Sequence, residues 1–203
     1  MACTITLGRA LDCKDALGGL SKIFFVDDFE AGLVTAAGTG DGTAGSATVS
    51  TTAGETFTIT DLPAMTVLQY DLRPDLSSFT INVQSDPATG ASLFEQTLNV
   101  VLQKHQEADP EQLRLISRNR SQIFVLDNND NLFLFGAAHG MDLNGGTLTS
   151  GAARNEMSGH TLTFAGREAA PYYLVEATAG VGTASYPFDG LTTTPNPITI
   201  TTG

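Results

Sequence analysis

The chain has 203 residues, 41% hydrophobic and only 16% charged, with 22 acidic against 10 basic residues for a net charge of −12. That is enough apolar material for one core, which excludes a disordered polymer, and an acidic surface disfavours a tight nucleic-acid binder because it repels phosphate. Gly, Thr, Ser and Ala fill the charge deficit, a mix typical of β-sandwiches, and the absence of Trp weakens the case for a carbohydrate cleft.

Residues 1–20 read as an N-terminal arm that ends in a flexible Gly18-Gly19 joint. The arm holds both cysteines, Cys3 and Cys13, too few for a disulfide framework or a zinc site, so two reduced thiols are expected. It lacks a basic region followed by an apolar run, so no secretory leader is expected. Nowhere do the roughly 18–20 apolar residues of a membrane span line up, and no membrane partner is expected.

Lys22 to Val26 predicts a strand stopped by Asp27-Asp28, with Phe29 to Thr35 as its continuation after a turn. Residues 36–54 have no periodicity and no large side chain before Val49, which predicts a long mobile loop or hairpin tip. Glu55 to Thr60, Met65 to Leu72, and the Phe79, Ile81, Val83 alternation predict antiparallel, half-buried strands joined by short turns. Phe94, Leu98, Val100 and Leu102 share one face of the next strand, with Glu95, Thr97 and Asn99 on the other.

Asp109, Pro110, Glu111 and Gln112 form a helix-start signal, with Asp109 at the cap and Pro in the first turn. It predicts a helix over 109–120 that buries Leu113 and Ile116 and shows Arg114 and Arg118. Ile123–Leu126 and Leu132–Phe135 flank the turn residues Asp127 to Asn131, which predicts a hairpin with bulky side chains on both faces. Thr147–Thr149 and His160–Ala165 predict a second hairpin, and Tyr172 to Glu176 one more strand. Residues 177–203, rich in Thr, Gly and Pro, read as a C-terminal arm, either disordered or paired with another chain.

No constellation carries catalytic chemistry. Asp127, Asn129 and Asn131 have the alternate spacing of a calcium loop, but Leu132 replaces the expected glycine and Ala138 the bidentate acid. His105, His139 and His160 lack paired ligand spacing and read as solvated or hydrogen-bonded surface residues. There is no G-x-S-x-G and no phosphate loop. The expectation is therefore no catalytic residue, no metal and no cofactor. Arg114, Arg118 and Arg120 are three of ten basic residues, clustered on or beside one helix, and suit either a solvated face or acidic residues of an adjacent subunit. Phe133 and Phe135 belong to the two-faced hairpin, one face of which would pack against a neighbour. These five are the expected subunit-interface residues.

Phe94-Glu95-Gln96-Thr97-Leu98, Asp127-Asn128, Gly140 to Thr147, Ser150-Gly151-Ala152 and Gly159 to Glu168 follow one another in an order that resembles the tail tube (major tail) proteins of tailed bacteriophages. The resemblance covers the central and later half of the chain. It implies a mainly β fold: an antiparallel sandwich or barrel over 21–176 with one short flanking helix, a long loop and extended terminal arms. It further implies a non-enzymatic virion protein in the phage tail, assembled in host cytoplasm, whose copies form stacked, six-membered rings around an acidic conduit for double-stranded DNA. Its partners would be itself and other tail proteins. The rival readings are another virion β-protein, such as a head–tail connector or capsid decoration subunit, and an acidic β-sandwich that binds a receptor or glycan.

Overall fold

β-branched and aromatic runs bounded by Gly, Pro, Asn and Asp become twelve strands in the computed structural model, which describes residues 17–29, 33–34, 47–49, 57–88, 90–176, 186–191 and 198–202. In chain order they are β1 Leu20–Val26, β2 Thr48–Val49, β3 Thr58–Asp61, β4 Met65–Asp71, β5 Ser78–Asp86 and β6 Ala91–Gln103. The helix α1, Asp109–Ile116, is followed by β7 Ile123–Asp127, β8 Leu132–Phe135, β9 Asp142–Thr149, β10 Gly159–Glu168, β11 Tyr173–Val175 and β12 Ile198–Thr202. Among the described residues no helix is long and apolar enough to cross a membrane.

The strands form two sheets, in the orders β12-β4-β1-β7-β8-β11-β3-β2 and β5-β6-β10-β9. The fold is mainly β and sandwich-like, as expected. The larger sheet departs from the antiparallel expectation: β12 runs parallel to β4, and β11 parallel to β3. Both pairs join segments far apart in the sequence, where no short turn dictates direction.

Alternate residues of the central strands feed two separate cores. Ile23, Phe25, Ile123, Val125 and Phe135 face the smaller sheet, where they meet Leu98, Val100, Leu162 and Phe164. Phe24, Val26, Phe124, Leu126, Leu132 and Leu134 form the other core with Leu33, Val34, Ala47, Ile59, Val67, Tyr173, Phe188, Leu191 and Ile198. Phe188 sits edge-on to both Phe24 and Phe124, with each pair of ring centroids 5.3 Å apart. Both faces of the β7–β8 hairpin are thus covered by the chain itself. The sequence predicted the two apolar faces but assigned one of them to a neighbour.

Several local expectations change. Leu33 and Val34 are buried without forming a strand. Within the expected loop, Ala47 is buried and Thr48–Val49 pairs with β3, while 36–46 and 50–54 lie outside the described residues. So do residues 1–16, including Cys3 and Cys13. The Gly18-Gly19 joint is held: Asn128 Nδ2 donates to Gly18 O at 2.6 Å, and Asn129 Nδ2 to Leu17 O at 2.7 Å. At the other end, Ile198–Thr202 pairs with β4 of the same chain.

The helix is shorter than expected, ending at Ile116, and its N-cap is Ala108, with no side-chain cap bond. Asp109 accepts instead from Gln106 N at 2.6 Å and contacts His160 Nε2 at 2.9 Å, which draws its carboxylate away from the cap role. Leu113 and Ile116 pack on the core between the sheets, whereas Leu115 is exposed.

At Gly159, a Cβ would stand 2.1 Å from the Leu102 carbonyl oxygen, which belongs to the β6–β10 ladder and cannot swing away without breaking pairing. Gly159→Ala is therefore expected to cost about 3 kcal/mol, the upper range for backbone held where only glycine fits. A lowered urea midpoint at unchanged m-value checks this; a shift below a third of that size would show that the strand end relaxes freely.

Tyr186 ties the 186–191 segment to the β7–β8 turn by donating its hydroxyl to Asp130 Oδ1 at 2.6 Å. Burial, that bond and the carboxylate's charge push its pKa up to about 12. Because this lies above the unfolded value near 10, the stabilisation is full below about pH 10 and is lost as pH rises towards 12. Tyr186→Phe is expected to cost about 1 kcal/mol at neutral pH. The gap should close in strong base, a trend checked by paired urea titrations across pH.

Candidate functional site

Four strands that alternate polar and apolar residues give the smaller sheet one buried and one open face. The buried face carries Phe79, Ile81, Leu98, Val100, Leu162 and Phe164. The open face carries Ser78, Thr80, Asn82 and Gln84 on β5, Thr97 and Asn99 on β6, and Thr161 and Thr163 on β10. Cross-strand contacts knit it together: Thr163 Oγ1 donates to Asn99 Oδ1 at 3.0 Å, and Gln84 Nε2 to Glu95 Oε2 at 3.0 Å. Its central charges, Arg167 and Glu95, are 3.3 Å apart and offset each other. The face is hydroxyl- and amide-rich and nearly neutral, whereas the resemblance implies an acidic lumen.

The edges of this sheet are β5 and β9, each paired on one side only among the described residues. Val101 donates its N–H to Ser77 Oγ at 3.1 Å, on the β5 side of β6. With that orientation, Asn99–Ser78, Thr97–Thr80 and Glu95–Asn82 are the hydrogen-bonded pairs, so the amides of Phe79, Ile81 and Val83 point away from β6. Val83 is 65% exposed, and Leu148 on β9 64%. Each edge strand has one charged residue, Asp86 or Asp142. Long, exposed, weakly charged edges are templates for another strand.

Of the five expected interface residues, Phe135 is buried between the sheets, and Phe133 is half-buried beside Phe79 and Tyr172, each 5.3 Å away by ring centroid. Arg120 lies over Gly140, donates to His139 O at 3.2 Å and pairs with Asp142 at 3.8 Å. Arg114 and Arg118 are exposed. The structure does not bring the five together on one surface.

Three of the six buried polar or charged side chains among the described residues have roles that local sequence does not signal. Gln96 lies between Phe94 and Leu98 on the inward face of β6; its Oε1 accepts from Gly136 N at 2.9 Å, and its Nε2 donates to Pro171 O at 2.8 Å. Glu168, at the end of β10, accepts from the amides of Ala138 and His139 at 3.1 and 2.7 Å and lies 3.1 Å from His139 Nδ1. The 136–141 turn, which follows β8 of the larger sheet, is thereby pinned to β6 and β10 of the smaller one. At its first residue, φ is +64°, and a Cβ on Gly136 would lie 2.7 Å from Gly140 C. The third is His160, 2% exposed, which corrects the expectation of surface histidines. His105 and His160 are 55 residues apart in sequence and 3.2 Å apart in space, with Asp109 beside them.

The Asp127–Asn131 turn uses its carboxylate internally. Asp127 accepts from the amides of Asn129 and Asn131 at 2.8 and 2.7 Å and from both their side-chain amides, the pattern of an Asx turn.

No family model matches the chain, and no curated protein matches it. A solved structure with some similarity is a chain of a particle described as the virion of a native gene transfer agent. It is 6% identical, the match covers 49% of this chain and 82% of that one, and the TM-score is 0.33. A TM-score of that size assigns neither fold nor function.

Proposed function

We propose that this chain is a virion structural protein, a tail tube subunit whose copies join through the smaller sheet into rings that stack as a conduit for double-stranded DNA. The observation that carries this reading is the four-stranded sheet with two charge-poor edges, unpaired among the described residues, and one open, polar, nearly neutral face. Strand directions alternate across β5-β6-β10-β9, so its two edges run in opposite directions. Rotating one copy onto the next therefore sets β9 beside β5 in antiparallel register, a head-to-tail contact that closes into a ring. The open face would then line the ring. A wall of hydroxyls and amides whose central cation is already paired offers a polyanion little to grip. Most of the residues that carry the resemblance to tail tube proteins lie on β6, β9 and β10.

On this reading, Arg114 and Arg118 are available to a neighbour's acidic residues, and contacts between rings and with other tail proteins fall to residues 1–16, since the C-terminal arm gives Phe188 and β12 to its own chain. Negative-stain microscopy of the purified chain across a concentration series tests the proposal. Rings or tubes with a central channel are expected, and a strictly monomeric species at every concentration would overturn it. A monomer that binds a glycan saturably would favour the receptor-binding alternative.

A further inference from the structure

We propose that His105, Asp109 and His160 form a three-ligand site for a divalent transition-metal ion, Zn2+ foremost, that clamps the start of α1 to the β6–β10 end of the smaller sheet. The inference is independent of the tube reading. His105 follows β6 by two residues, Asp109 is the first residue of α1, and His160 is the second residue of β10. Their ligand atoms lie within 4.8 Å of one another, with His160 Nε2 3.2 Å from His105 Nδ1 and 2.9 Å from Asp109 Oδ2. Around a tetrahedral zinc with ligands at about 2.0–2.1 Å, such atoms stand roughly 3.3 Å apart.

The surrounding hydrogen bonds orient these atoms as ligands. His105 Nε2 lies 2.9 Å from Thr149 O, a pure acceptor, so it carries the proton, and Nδ1 presents its lone pair to the cluster. Gln106 N donates to Asp109 Oδ2 at 2.6 Å and holds the carboxylate in place. His160 Nε2 has at most one proton to give, yet it faces two acceptors, so without a cation it can hydrogen-bond only one of them. A divalent ion satisfies all three. The His160 ring is buried and its Nδ1 has no partner among the described residues, so without an ion the ring's proton stays on Nε2, where Asp109 can accept it. That proton can move to Nδ1 when Nε2 coordinates.

Two imidazoles and one carboxylate suit zinc and its transition-metal neighbours, whereas Mg2+ and Ca2+ take oxygen ligands. Such a clamp has a structural purpose. The helix has eight residues, none fully buried, and a helix of that length is marginal alone.

The test is calorimetric titration of the chelator-treated full-length chain with ZnCl2, together with thermal unfolding and visible spectra with CoCl2. Expected are one zinc per chain, a melting temperature raised by several degrees, a cobalt d–d band, and no effect of MgCl2 or CaCl2. His105→Ala, at an exposed position, should leave the fold intact. It should weaken zinc binding by more than the roughly 10–100-fold that loss of an outer partner costs. A variant with both Cys3→Ser and Cys13→Ser should bind zinc as the parent does. Absence of saturable zinc binding at micromolar protein overturns the proposal. So does unchanged binding in folded His105→Ala, or binding that disappears with the cysteines.

Discussion

Gln96→Leu is expected to destabilise the fold by roughly 3 kcal/mol, although leucine keeps the volume and adds apolar surface. The substitution strands the Gly136 N–H and the Pro171 carbonyl, bonded now at 2.9 and 2.8 Å, and weakens the site of the longer 3.4 Å bond to Ala170 O. Each buried group left unpaired costs about 1–3 kcal/mol, and burial of the leucine offsets only part of that. For a chain of this size the melting temperature should fall by roughly 6–12 °C. Urea unfolding followed by tyrosine fluorescence suits a protein with four Tyr and no Trp. A loss under about 0.5 kcal/mol, the usual range of a surface change, would show that Gln96 does not join the two sheets.

The second large effect is on assembly. Val83→Pro should abolish ring and tube formation while leaving the monomer folded. Proline removes an amide that points away from β6 towards the free edge, and edge strands tolerate proline where the N–H faces solvent. Circular dichroism and thermal unfolding should match the parent closely. Microscopy and sedimentation should show monomers at concentrations where the parent assembles. Tubes made by a folded Val83→Pro protein would remove β5 from the interface. The β9 edge, where Leu148 is exposed, gives the complementary position.

Much of the strand order was legible in advance because its signals are local. Asp127 to Asn131 tolerate left-handed backbone, and Asp130 adopts it at φ +60° between β7 and β8. The β9–β10 hairpin, β4 and β11 likewise follow from alternation and turn residues that act within a few positions. The helix starts at Asp109 as expected, but its cap is Ala108, and it ends at Ile116. Asp109 has the chemistry of a cap, but His160, 51 residues away, shares its carboxylate.

The packing of Phe133 and Phe135 is likewise non-local: Phe135 is buried between the sheets and Phe133 is half-buried. Alternation correctly says that a strand has two apolar faces, but it cannot say which chain covers them. Here the smaller sheet covers one face, and distant residues including Leu33, Val34, Ala47 and Phe188 cover the other. Gln96 and Glu168 looked like ordinary polar residues because their partners, the backbone groups of 136–139 and 170–171, converge only when the sheets pack.

By itself the sequence determined that this is an acidic, mainly β chain with two hairpins and one short helix, since alternation, propensity and turn chemistry act within a few residues. Only the tertiary structure decided that β12 and β11 run parallel to their partners, that both hairpin faces are internal, and that His105, Asp109 and His160 meet. Those outcomes depend on contacts between segments tens of residues apart or more, whose ordering entropy is offset only when whole sheets pack together.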